Sequence, residues 1–230
     1  MIDKVYNITM RNIKIAPGEY YHIFNRGMAK QLIFHDNADR ARFLFLILYF
    51  QSPVILQNIG RPAKLFVKHR VFNIDEKTKF EITKNRFVEI NSFCLMPNHF
   101  HLIIKEVEEN GIARYMQRIL NSYTKYYNTK YHRSGHLFQG PYKAVHVKNN
   151  NQLLYLSAYI HRNPRELKEW FNKENNYQWS SYQDSINKNR FDELLVLDII
   201  NGQFKNKKEY DEFVKTSPAK LLKEELNWIN

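Results

Sequence analysis

The sequence predicts an α+β fold, a central antiparallel sheet with helices packed on one face of it. Three observations carry that prediction. The segments "EYYHIFNRGM" (19–28) and "FVEINSFCLMPNHFHLIIK" (87–105) alternate or run apolar over strand lengths. Residues 111–131 and 149–164 instead repeat their apolar positions at helical spacing. Strands and helices also mix without the βαβ regularity of a parallel sheet.

Taken in order, the first strand ends at Gly27, and Asp36 or Asn37 caps a helical run to about Phe50 that Pro53 breaks. Its "FLFLILYF" (43–50) is too short for a membrane span and reads as a buried helix end. Residues 52–90 hold Gly60, Pro62, many charges and two β-like pieces, Lys64–Phe72 and Phe80–Ile82; they read as a strand-containing excursion. The 87–105 segment forms one or two strands bent near Pro97. Asn110 caps the long helix, whose apolar stripe is Ile112, Met116, Ile119, Tyr123 and Tyr126, with Arg114, Arg118, Lys125 and Lys130 mostly outside it. Residues 134–148 read as a loop and a strand, and 149–164 as a capped helix stopped by Pro164. An aromatic-rich stretch (176–185) leads into a helical C-terminal extension over 186–230.

The 230 residues, 43% hydrophobic and 15% aromatic, suffice for one large core. Thirty-five Lys and Arg against 23 Asp and Glu give a net charge of +12, which favours polyanionic partners, nucleic acid before acidic membranes. A single cysteine, Cys94, excludes a disulfide framework and a Cys-rich zinc site and fits a reducing cytoplasm. The first 22 residues show no long apolar segment, so neither signal peptide nor anchor is expected.

The chemistry centres on "MPNHFHLII" (96–104). A strand points His99 and His101 to one side and Phe100 to the other. On the 149–164 helix, Leu153, Leu156 and Ile160 face the sheet, while Tyr159 and Asn163, four apart, stack at the border of that stripe. If helix and strand meet there, two imidazoles and an amide oxygen make a mixed nitrogen–oxygen site suited to Mg²⁺ or Mn²⁺. Tyr159 beside it would then be placed to attack a phosphodiester. Packing roles are the alternative: the chain has 15 tyrosines, and paired histidines also occur in satisfied cores.

At this point the sequence resembles a known family. "HFH" is a His–bulky apolar–His (HUH) motif, and with Tyr159 it resembles the single-tyrosine HUH transposases of bacterial insertion sequences, above all the REP-associated tyrosine transposases. The resemblance runs through "YYHIFNRG" (20–27), "FCLMPNHFHLII" (93–104), "NSYTKYYN" (121–128), "GHLFQG" (135–140), "YIHRNP" (159–164) and "WSSY" (179–182), in the family's order. It departs at Pro141, where many relatives carry Arg, and in the long 52–90 excursion. What it implies is a catalytic domain over 1–185 with a ferredoxin-like or RRM-like antiparallel sheet. It also implies nicking of single-stranded DNA beside a hairpin, a 5′-phosphotyrosine on Tyr159, and strand transfer by transesterification. His99 and His101 match the metal histidines, Asn163 the third ligand position, and Mg²⁺ or Mn²⁺ the cofactor. The implied partner is hairpin-bearing single-stranded DNA and no membrane, in the bacterial cytoplasm at the nucleoid. A homodimer sharing its sites in trans and a monomer both occur among relatives, so that choice stays open.

Candidate DNA contacts are Asn25 and Arg26 of "NRG", Arg114, Arg118 and Lys125 of the long helix, Gln139, and Lys143 and Lys148 beyond it. His136 and His146 read as loop or surface residues. Two other functions fit the same sequence: a hairpin-binding protein that does not cut, and an RNA-binding or RNA-processing protein.

Overall fold

The structure, a computed structural model, describes residues 14–55 and 58–219. Residues 1–13 of the segment read as lacking a leader, and the tail beyond 219, lie outside the described residues. Four strands, β1 (Tyr20–Arg26), β2 (Val88–Met96), β3 (His99–Glu106) and β4 (Lys143–His146), form one sheet in the order β2-β3-β1-β4. Every neighbouring pair is antiparallel. Pro97 and Asn98 form the tight turn of the β2–β3 hairpin, so Met96 opposes His99. Gly27 ends β1 because a Cβ there would lie 2.2 Å from the Gln31 carbonyl oxygen.

Helices cover both faces of the sheet, not one as the sequence suggested. The reason is the composition of β2 and β3, which are buried almost end to end and so need cover on each side. On one face lie α1 (Asn37–Tyr49) and α4 (Gly111–Lys130), where Phe43 packs against Phe100 and Tyr123 with ring centroids 4.9 and 5.0 Å apart. On the other lies α5 (Asn150–His161), burying Leu153, Leu156 and Ile160. Asp36 caps α1 by accepting from Asp39 N, and Asn149 caps α5 by accepting from Gln152 N.

Asn110 holds the cap position of α4 at φ 61°, but its side chain makes no capping bond. The buried Glu106 carboxylate does so instead, accepting from Gly111 N at 3.0 Å and Ile112 N at 2.6 Å. The stripe of α4 turns from Tyr123 to Tyr127, which is buried, while Tyr126 is half-exposed and donates to Asp39 Oδ1.

The two pieces of 52–90 expected as strands fall instead on helices, α2 (Gly60–His69) and α3 (Glu76–Lys84). All seven residues Phe43–Tyr49 of α1 are buried, so its outer side needs a second layer. Ala63 and Phe66, three apart on α2, supply it; Phe66 packs on Phe45 with centroids 5.8 Å apart. Asp75 starts α3 by accepting from Thr78 N.

Beyond 181 come α6 (Tyr182–Ile186), α7 (Asp198–Asn201) and α8 (Lys207–Thr216). Phe191, Leu194 and Leu195 are buried in the main core, and Tyr210 of α8 reaches α5.

Candidate active site

The face of the sheet under α5 is built by alternation. His22 and Phe24 on β1 and His99 and His101 on β3 project together, since Phe24 opposes His101 and Arg26 opposes His99 in the β1–β3 register. β4 sets Lys143 opposite Phe24. Above them, Tyr159 comes from the last turn of α5 and Asn163 from the short 3₁₀ turn (Asn163–Glu166) that follows it. The Tyr159 ring stands edge-on to His101 at 5.6 Å between centroids and to His22 at 6.4 Å, all within one chain.

These side chains wall a cleft of about 480 Å³, lined by Phe24, Asn25, Arg26, His99, His101, Gln139, Lys143, Tyr159, Asn163 and Glu166. Of the residues singled out in the sequence, eight therefore converge: Tyr159, His99, His101, Asn163, Asn25, Arg26, Gln139 and Lys143. Four do not line it. Arg114 donates to Glu108 and lies over Phe87, and Arg118 donates to the Ser52 and Val54 carbonyls over Phe50. Lys125 lines a separate groove between α4 and residues 136–141, and Lys148 is exposed beside the cap of α5.

Hydrogen bonds fix the site's side chains. His99 Nδ1 lies 2.6 Å from Asn98 Oδ1, and His101 Nδ1 lies 2.8 Å from His22 Nε2. The Asn163 amide nitrogen donates to the Tyr159 carbonyl at 3.1 Å. Burial, then the nearby Glu166 charge, raises the Tyr159 pKa well above its ordinary value, and Arg26 opposes the shift.

The donor set fits a hard divalent cation with open positions. Both imidazoles use Nδ1 for a protein hydrogen bond, the arrangement of a histidine that ligates through Nε2. Among the described residues no three His, Cys, Asp or Glu side chains are placed to hold a metal, so the third protein ligand would be the Asn163 oxygen.

Three cleft-face residues escaped the sequence reading: His22, Phe24 and Glu166. The signal for the first two was present, since "HIF" on β1 alternates just as "HFH" does on β3. Glu166 lies one short helical turn (Asn163–Glu166) past the point where Pro164 was taken to stop the helix.

Residues 63–163 match the family model described as "Transposase IS200 like". No curated protein matches the chain. Among solved structures, a REP-associated tyrosine transposase bound to a REP hairpin shares the fold, with a TM-score of 0.50 and 12% identity over 84% of this chain and 93% of that one. Among the described residues no helix is long and apolar enough to cross a membrane.

Proposed function

We propose that the chain, whose residues 63–163 match the IS200-like transposase model, nicks and rejoins single-stranded DNA at hairpin-bearing sequences through a covalent 5′-phosphotyrosine on Tyr159. The observation that carries the proposal is the Tyr159 ring set edge-on to His101 in a cleft that His99, Asn163, Arg26 and Lys143 also line.

The chain's residues divide the work. Arg26 and Lys143 bring cationic charge to the cleft and draw a phosphodiester into it. The edge-on packing against His101 and His22 orients the Tyr159 phenol, whose pKa burial and Glu166 raise further above its ordinary value. Attack forms the bond from the phenolic oxygen to phosphorus and breaks the bond to the 3′ oxygen; the phenolic proton departs and the 3′ oxygen ends as a hydroxyl. A Mg²⁺ or Mn²⁺ ion held by His99, His101 and Asn163 would supply the charge that polarises the phosphate. Rejoining reverses the exchange with a different 3′-hydroxyl. The hairpin bound by the structurally similar transposase supports the same class of DNA here.

The test incubates the chain with single-stranded hairpin oligonucleotides and Mn²⁺ and resolves the products on a denaturing gel. A protein–DNA adduct is expected, absent in Tyr159→Phe and His101→Ala. Tight hairpin binding without any adduct would show a binder that does not cut.

A further inference from the structure

One buried polar side chain on the site face has only a packing part in the scheme above, and its hydrogen bond is unused there. His22 sits in the middle of β1, fully buried, with its Nε2 2.8 Å from His101 Nδ1. The two rings stack at 5.0 Å between centroids and 23° between planes, and Phe24 packs against both, 4.6 Å from His22 and 5.7 Å from His101. A polar ring so enclosed needs hydrogen bonding to offset its desolvation, and the bond to His101 supplies it.

We propose that His22 is a positioning residue that accepts the Nδ1–H of His101, fixing the tautomer and tilt in which Nε2 of His101 ligates the divalent cation. The proposal rests on the metal reading of the site given above.

Two imidazoles can share one hydrogen bond in only two ways, because exactly one of the facing nitrogens carries the hydrogen. If His22 donates, His101 must hold its own hydrogen on Nε2, and the ligating lone pair is lost. If His101 donates, Nε2 keeps that lone pair. His99 offers the neighbouring precedent for the second pattern. Its Nδ1 lies 2.6 Å from Asn98 Oδ1, a pure acceptor, so Nδ1 carries the hydrogen and Nε2 is the ligating atom. With His22 accepting, His101 adopts the same pattern, and the two neighbouring rings, 5.0 Å apart, present the same atom. His22 thus takes the place that a carboxylate or carbonyl usually occupies behind a metal-bound histidine.

Two measurements on the full chain test this. Long-range ¹H–¹⁵N spectra of the imidazoles, without metal, read the tautomers directly. His101 is expected as the Nδ1–H form in the wild type, and the Nε2–H form there would overturn the proposal. Mn²⁺ titration by calorimetry is then compared across wild type, His22→Phe and His22→Gln. His22→Phe is expected to weaken Mn²⁺ binding about 10- to 100-fold, and His22→Gln, whose amide oxygen can accept, to recover most of it. Hairpin binding without metal and the melting curve show whether each variant is folded, and the wild-type tautomer decides if His22→Phe is not. A wild type that binds no Mn²⁺ overturns the metal site itself and the positioning role with it. A wild type that binds, with a folded His22→Phe that binds equally well, overturns the positioning role alone.

Discussion

Two histidine clusters lie on the same face of the sheet, and they are built to opposite ends. His161, at the end of α5, is fully buried, with Nε2 against the Ser92 and Ser181 hydroxyls at 3.1 and 2.9 Å and Nδ1 against the Tyr210 hydroxyl at 2.8 Å. Its ring stacks on Tyr182 with 12° between planes. Burial lowers its pKa to about 3, so it is a neutral packing element. His101 is 5% exposed, hardly less buried, yet it walls a cleft of about 480 Å³ beside a second histidine, a tyrosine and an amide. Burial therefore does not separate a core histidine from a site histidine. The surroundings do: hydroxyls on both nitrogens in one case, a cleft with cationic walls in the other.

The sharpest break in that comparison is chemical. Tyr159→Phe is expected to abolish the covalent adduct while leaving hairpin binding in place, because only the attacking oxygen is removed. A gel-shift run beside the denaturing gel checks both halves. An adduct that persists would move the nucleophile to another tyrosine.

Next in size is the structural cluster. His161→Ala removes a packed ring and takes one hydrogen-bond partner from each of the Ser92, Ser181 and Tyr210 hydroxyls, at a cost of about 2–4 kcal/mol. For a chain of this length each kcal/mol lowers Tm by roughly 2–4 °C. Adduct formation should survive below the lowered melting point. If the adduct vanished while the fold remained, the two clusters would share one function.

Metal addition sharpens the contrast from the other side. Mn²⁺ at about 100 times its Kd should stabilise the wild type by about 2.7 kcal/mol. That shift in melting curves should be absent in His101→Ala and intact in Tyr210→Phe, whose lost hydroxyl bonds Ser157 and His161, away from the cleft. An equal shift in all three proteins would place the ion elsewhere.

Much of the site was legible because strand alternation is a local rule. "HFH" declares its two projecting rings by spacing alone, and the four-residue spacing of Tyr159 and Asn163 puts both at the edge of a helix that must face the sheet. What escaped was decided by tertiary partners. Alternation in "KLFVKHRVF" suggested a strand, but the demand of a fully buried α1 for an outer layer made the segment helical through Ala63 and Phe66. The α4 cap came from Glu106, at the end of the preceding strand, rather than from Asn110 next door. Arg118 looked like a DNA contact until the turn after α1 brought the Ser52 and Val54 carbonyls to its guanidinium.

The smallest effect separates two lysines that the sequence could not rank. Lys143 lies in the cleft, opposite Phe24 in the β1–β4 register, whereas Lys125 lines a groove on the α4 side of the sheet with Thr124, Asn128 and His136. Each phosphate contact adds close to one unit to the slope of log affinity against log salt. Lys143→Ala should therefore weaken hairpin binding modestly and lower that slope by about one. Lys125→Ala should leave affinity and slope unchanged. Salt titrations of fluorescent hairpin binding resolve a difference of that size. Equal loss in both variants would mean that the DNA wraps from the α5 face onto the α4 face, and the 136–141 segment, which lines both cavities, would then be the rim it crosses.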